Sequence, residues 1–362
     1  MCGLPATSSG VFTSGGSSAN LIALGAARQW AYEQVGIDAS ADGLALAVPG
    51  RVYASRFAHR TIHRAAGVLG LGRESVVEVA DDGCGHIDPA ALGDALARGR
   101  RDGLLPIAVV GVAGTTDSGS VDPLDALAEV AQRHHTWLHV DGAYGLIGAA
   151  SPMLRPRFRG MERADSWIVD PHKRLATGLG VGAVYVRDGE VHRRAFMEGH
   201  AAYLEGSFES DGELVSQFDS FGGEWADPGE LSAPPRGVLV WAVLREIGRA
   251  GVIDRVERHA GFARHLADRV RTEPRLELLA EPELSIVCFR HRFDGRDQDQ
   301  ANGLLLRRLR RETPFAPSST VVNGCVALRS CYINPRTTLA EVDGLVDAVL
   351  RLGRIIDRDG TG

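Results

Sequence analysis

Lys173 follows a short apolar run, Ser166 to Val169, and is reached through Asp170-Pro171-His172. Lysine normally keeps its ammonium in water and lays its stem on apolar surface. One tied to the end of a core strand sits where desolvation favours the neutral amine, a nucleophile toward carbonyl carbon. Taken alone the residue reads as a solvated loop lysine; its company upstream argues otherwise. Asp141 closes the strand signal Thr136 to Val140 and leads into Gly142-Ala143-Tyr144, although an aspartate before glycine is also an ordinary turn residue. Ser14-Gly15-Gly16-Ser17-Ser18 precedes Leu21, Ile22, Leu24, Ala27, Trp30 and Ala31, which recur at helical spacing. Glycines at a helix start admit a close ligand, and the unpartnered first-turn N–H groups with the helix dipole attract an anion. Ser17 alone reads equally well as an N-cap.

These groups need a scaffold that brings distant positions together, and the alternation of strand and helix signals supplies one. Strands are expected at Arg51 to Ser55, Val76 to Val79, Pro106 to Val112, Thr136 to Val140, Ser166 to Val169 and Gly182 to Arg187. Helices are expected at His59 to Leu69, Asp88 to Arg98 and Pro123 to His135, the last with Asp122 as N-cap. The pattern is that of an α/β protein with a mostly parallel sheet, whose ligands bind beyond the carboxyl ends of the strands. Thr115, Asp141 and Lys173 all fall at such ends. Residues 197 to 234 lack apolar periodicity and suggest a functional loop. Beyond them the sequence predicts helices from Arg236 to about Gly248 and Val252 to Thr272, then strand Leu284 to Arg290, helix Asn302 to Arg311, strand Val326 to Tyr332 and helix Leu339 to Leu352. That tail reads as a smaller α+β domain, giving domains of 1–235 and 236–362.

Composition narrows the function further. With 40 basic and 46 acidic residues the net charge is −6, which disfavours nucleic acid and a basic membrane face. No apolar run approaches the ~20 residues of a membrane span, and the N-terminus lacks a secretion signal. Five scattered cysteines without CxxC spacing point to a reducing, cytoplasmic home. Neither a GxxxxGK[ST] loop nor a GxGxxG fingerprint occurs. His59 and His63 are spaced as half a metal site, but Arg60 stands where a metalloprotease needs glutamate, and no metal is expected.

Five segments, in order, resemble the pyridoxal-phosphate-dependent group II amino-acid decarboxylases: GVFTSGGSSANL at 10–21, Ser55-Arg56-Phe57-Ala58-His59, GTT at 114–116, HVDGAYG at 139–145 and DPHK at 170–173. The resemblance implies a type I pyridoxal-phosphate transferase fold and decarboxylation of an L-amino acid to its amine, with an aromatic substrate favoured. It implies pyridoxal 5'-phosphate held covalently by Lys173, faced at its ring nitrogen by Asp141 and stacked on by His59. Gly16 and Ser17 would grip the phosphate, Thr115 and Ala143 would line the ring, and His172 would precede the lysine as in the family. Tyr203 falls at the family's mobile-loop tyrosine, which returns a proton to substrate carbon. A homodimer with the active site near its interface is implied as well. The same cofactor serves transamination and carbon–carbon lysis, and both remain alternatives. Family members ordinarily carry a further segment ahead of the glycine loop, so the resemblance implies a truncated form or a late-placed start, and an inactive cofactor-binding chain is a further alternative. Arg174 stands where the family more often has tryptophan, either facing solvent or bringing charge near a substrate carboxylate.

Overall fold

In a computed structural model, the described residues are 1–196, 208–210, 213–215 and 233–358. The first sheet has seven strands: β1 (Ser9–Thr13), β2 (Gly50–Ser55), β3 (Val76–Val79), β4 (Leu105–Val112), β5 (Trp137–Asp141), β6 (Ser166–Val169) and β7 (Gly182–Val186). Their order is β1-β7-β6-β5-β4-β2-β3. The run from β3 to β6 is parallel; β7 is antiparallel to both β6 and β1, so β1 points with the parallel set. The carboxyl ends of β1, β2, β4, β5 and β6 therefore share one edge.

Side chains alternate across this sheet as a two-residue period demands. Val52, Ala54, Ala108, Val110, Trp137 and Ile168 face the layer built on α1 (Gly16–Glu33) and α2 (Thr61–Val68). Tyr53, Val109, Leu138, Val140 and Trp167 face the opposite layer, with α3 (Pro89–Arg101) and α4 (Leu124–Arg133). Helix α1 is wrapped by the protein: Ala19, Ile22, Ala23, Leu24, Ala26 and Ala27 have no exposed surface. Its small residues allow the close approach to the sheet that an apolar helix of larger side chains would deny.

After the single turn α5 (Pro171–Arg174) and helix α6 (Gly189–Phe196), β8 (Phe208–Ser210) pairs with β9 (Glu213–Val215). Helix α7 (Arg236–Thr272) then runs through a break at Gly248, whose φ is +62°, so the two helices expected from the sequence are continuous apart from that residue. Beyond it, an antiparallel sheet in the order β10 (Leu276–Ala280), β11 (Ile286–His291), β13 (Cys325–Cys331), β12 (Ser318–Val322) packs on α7, α8 (Gln298–Glu312) and α9 (Leu339–Arg358). Strands β10 and β12 had no sequence signal: both carry exposed or half-buried positions with little apolar alternation.

Asp122, expected to cap α4, does something else. Its carboxylate is buried and accepts the N–H groups of Ile87 (2.8 Å) and Val112 (2.7 Å), tying the 82–88 loop to β4. Pro123 takes the cap position without a side-chain bond. Burial pushes Asp122 up to about 6.

The second sheet is joined to the first by polar clasps. His86 places Nδ1 2.8 Å from Asp82 and Nε2 2.5 Å from Glu283, while Glu283 also meets Arg157 at 3.1 Å. Thr320 donates to Asp117 at 2.5 Å. The Glu283 bond, against partial burial, raises His86 from 6.5 to about 9. A raised folded-state value contributes stability that is complete below pH 6.5 and disappears as pH rises through 9. His86→Gln should thus lose on the order of 2 kcal/mol at pH 7, after allowance for partial exposure. Urea unfolding of both proteins at pH 6, 7.5 and 10 checks this, with the gap closing at the highest pH.

Candidate active site

Five chain segments converge on one cavity of about 380 Å³ at the carboxyl edge of the first sheet. The β1–α1 loop contributes Ser14, Gly15, Gly16 and Ser17; β2's exit contributes Phe57 and His59; β4's exit contributes Gly114 and Thr116; β5's end contributes Asp141, Ala143 and Tyr144; and β6's exit contributes Asp170, His172 and Lys173. Side chains separated by more than 100 residues meet here because parallel strands all deliver their exits to the same edge.

The loop before α1 is shaped for an anion. Gly15 is the N-cap, with φ +147°, and no side chain caps the helix; Ser17 lies inside the first turn and is not the cap. The first-turn N–H groups and the positive dipole end therefore face the cavity uncapped. A Cβ at Gly16 would stand 3.0 Å from Asp170 Oδ2 and 3.3 Å from the Ala143 Cβ, a tight fit that glycine relieves. Thr13 anchors the loop by donating to the Gly15 carbonyl at 3.0 Å. At Gly182 a Cβ would meet the Gly15 backbone at 2.6 Å, which requires glycine at the start of β7 too.

Behind the cavity lies a polar column on the α1 face of the sheet. Trp137, His139 and Asp141 alternate onto this face, and Asn20 reaches them from α1, one turn beyond Gly16. Asn20 Nδ2 is 3.0 Å from Asp141 Oδ2 and 3.0 Å from Thr61 Oγ1, and its Oδ1 is 2.8 Å from His139 Nε2. His139 Nδ1 lies 2.9 Å from Ser166 Oγ, which accepts the Trp137 indole N–H at 2.8 Å. Burial pushes His139 down to about 4, so the ring is neutral at ordinary pH. Asp141 also accepts the Ala143 N–H at 3.2 Å. His59 Nδ1 sits 2.9 Å from Thr61 Oγ1.

Lys173 Nζ forms an ion pair with Asp170 at 3.0 Å, and His172 Nε2 is 3.6 Å from the same oxygen. Asp170 is 3% exposed, and its Oδ1 has no hydrogen-bond partner among the described residues. His172 is held in turn by the Val181 N–H at 3.3 Å.

Of the residues expected from the sequence, Lys173, Asp141, His59, Gly16, Ser17, Ala143 and His172 share this cavity. Thr115 does not line it; its side chain is buried in the turn, 3.0 Å from Ser118 Oγ, and Gly114 and Thr116 take the wall instead. Tyr203 lies outside the described residues. Arg174 neither faces solvent nor enters the cavity: it is fully buried, 5.3 Å over the Tyr144 ring. Sequence reading missed Asn20, Thr61, Ser166 and the role of Asp170. Two spacings held a signal for them. Gly16 and Asn20 are four apart on one helix face, and His139 and Asp141 two apart on one strand face.

The arrangement fits pyridoxal phosphate: an open helix end and glycine cradle for a phosphate, a carboxylate for a protonated ring nitrogen, a flat imidazole, and an amine for the aldehyde. The chain matches the family model described as "pyridoxal-dependent decarboxylase conserved domain" over residues 1–292. It is 29% identical to the acidic amino acid decarboxylase of Mus musculus over 95% of its own length and 63% of that protein's. It is 31% identical to the L-2,4-diaminobutyrate decarboxylase of Rhizobium meliloti over 98% of this chain and 68% of the relative. The crystal structure of Oryza sativa TDC with PLP and tryptamine superposes with a TM-score of 0.86 at 29% identity, covering 97% of this chain and 71% of that one. The chain thus spans somewhat less than two thirds of the length of the Mus musculus relative, and its mostly parallel sheet with a smaller antiparallel one is the type I pyridoxal-phosphate fold. With a family model matched over most of its length and a cavity equipped for that family's cofactor, the chain belongs to the pyridoxal-dependent decarboxylases.

Proposed function

We propose that the protein removes the α-carboxylate of an L-amino acid as CO₂, leaving the amine. One observation carries the reading: Lys173, Asp141, His59 and the uncapped start of α1 line a single cavity. When bound, pyridoxal phosphate supplies a conjugated, protonated pyridine ring able to take up the electron pair left by the departing carboxylate. The remaining work belongs to side chains of this protein. Lys173 offers the amine that holds the cofactor, and Asp170 compensates its charge when protonated. Asp141 accepts the proton-bearing ring nitrogen's hydrogen bond, a charge-assisted contact worth about 1.5–3 kcal/mol. His59 presents a flat imidazole to one ring face, while Gly16, Ser17 and the dipole of α1 orient the phosphate. Ala143 and His172 complete the proposed binding set, and Tyr203 is proposed to return a proton to the substrate carbon.

An uncharged, aromatic side chain is the proposed substrate preference. Phe57 and Tyr144 line the cavity, and among the described residues no arginine does. The relatives bear names that span acidic, diamino and aromatic substrates, so the preference is argued from this lining. A homodimer in a reducing compartment is proposed as well; the five free cysteines suit such a compartment. No helix among the described residues is long and apolar enough to cross a membrane. We also propose a division into a cofactor-binding domain, 1–235, and a smaller domain, 236–362.

Purified protein given pyridoxal phosphate and each of the twenty amino acids should release CO₂ and an aromatic amine, read by mass spectrometry. Keto-acid formation without CO₂ overturns the reaction, and cofactor uptake without turnover favours the inactive-chain alternative. Borohydride reduction followed by peptide mapping should label Lys173, and Lys173→Ala should abolish the label. Gly16→Val should weaken pyridoxal phosphate by at least roughly tenfold, the loss of one charge-assisted contact, while leaving binding of unphosphorylated pyridoxal little changed. Equal losses for both ligands would remove the α1 start from the phosphate role.

A further inference from the structure

The polar column behind the cavity has only one consistent arrangement of hydrogens. A carboxylate can only accept, so Asn20 turns Nδ2 to Asp141 Oδ2 and its Oδ1 to His139 Nε2, which must then donate. The neutral His139 therefore carries its hydrogen on Nε2 and leaves Nδ1 to accept from Ser166 Oγ, which itself accepts the Trp137 N–H. Both hydrogens of Asn20 Nδ2 are spent, one on Asp141 Oδ2 and one on Thr61 Oγ1. Thr61, accepting from Asn20, turns its hydroxyl hydrogen to His59 Nδ1, which also receives the Thr61 N–H at 3.3 Å. The His59 hydrogen is left on Nε2. Every polar atom of His139 and Asn20 is used, at exposures of 0% and 2%.

We propose that Asn20 is a positioning residue, an amide that joins Asp141 to His59 and fixes what each presents to the cofactor: an acceptor-only carboxylate and an imidazole with its hydrogen on Nε2. This rests on the pyridoxal-phosphate reading of the cavity. Asp141 and His59 reach the cavity from different strands, 82 residues apart in number, and Asn20 is the described side chain that bonds to both the carboxylate and the histidine's threonine partner. Because Asn20 belongs to the helix whose first turn forms the anion cradle, a single rigid element would set phosphate, ring nitrogen and ring face together. His139, with no bond to Asp141 or His59, holds the amide oxygen in the orientation that Asp141 demands.

The test uses the full chain labelled with 15N-histidine, without cofactor, with signals assigned by their loss in His59→Gln and His139→Gln. Both rings should carry hydrogen on Nε2 and a bare, accepting Nδ1; hydrogen on Nδ1 of either ring overturns the relay whatever the variants do. Asn20→Leu, similar in shape, should convert His59 to a mixture of tautomers and weaken pyridoxal phosphate roughly 10- to 100-fold by equilibrium dialysis, the range of one hydrogen bond to a charged acceptor. Thr61→Val should disturb the His59 tautomer alike but cost less affinity, since it leaves the Asp141 contact in place. It also decides the matter should Asn20→Leu not fold. A purely structural role predicts a lower unfolding midpoint with unchanged tautomers and unchanged affinity per folded molecule, and that result overturns the proposal. If wild type takes up no pyridoxal phosphate, the reading of the cavity falls, and the tautomers alone decide the relay.

Discussion

Two carboxylates, Asp141 and Asp170, are held at the mouths of adjacent parallel strands with 6% and 3% of their surface exposed. A charge taken out of water costs several kcal/mol unless donors replace its hydration. The two sites answer this differently. Asp141 is met by fixed neutral donors, the Asn20 amide and the Ala143 N–H, whereas Asp170 is met by the ammonium of Lys173. One carboxylate is thereby kept as an acceptor for something that enters the cavity, and the other is committed to a cation of the protein itself.

This demand fixes the register of α1. A helix rises about 1.5 Å and turns about 100° per residue, so a slip of one position would carry Asn20 away from Asp141, Thr61 and His139 together. The run of alanines on α1 permits the close seating that such registry needs, and Gly182 lets the preceding loop lie against β7. Apolar packing brings the helix to the sheet; the buried polar column selects one position along it. Packing without that column would tolerate a sliding helix, and the anion cradle would slide with it.

Much of this was legible in the sequence because the signals were local. Strand exits ending in Asp141 and Lys173, glycines before a periodic helix, and a lysine closing a core strand each announce themselves within about ten residues. What stayed hidden was relational. Asp122 carries the signature of a helix cap but is spent on the N–H groups of Ile87 and Val112, since a loop 35 residues upstream folds over it. Thr115 sits at a strand exit like its neighbours, yet the positive φ of Gly114, +108°, turns its side chain into the bend and leaves Thr116 on the cavity wall. Asn20 looked like one polar residue in an apolar helix, because its three partners come from positions 61, 139 and 141.

Arg174 shows how the second sheet reaches the cavity wall. Its guanidinium lies over the Tyr144 ring, with Nη2 3.5 Å from Ser285 Oγ, and its Nε and Nη1 have no hydrogen-bond partner among the described residues. Tyr144 and Ser285 are linked independently, hydroxyl to hydroxyl at 2.6 Å and through the Ser285 N–H at 3.2 Å. Burial pushes the Tyr144 hydroxyl up to about 12, so it stays neutral and able to donate. A cation over an aromatic face is worth about 2 kcal/mol when desolvated, which offsets only part of burying it. The arrangement therefore depends on Ser285, just ahead of β11, holding Tyr144 beneath the guanidinium. Since Tyr144 lines the cavity, the wall beside Gly114 is set as much by the second sheet as by the strand that delivers it.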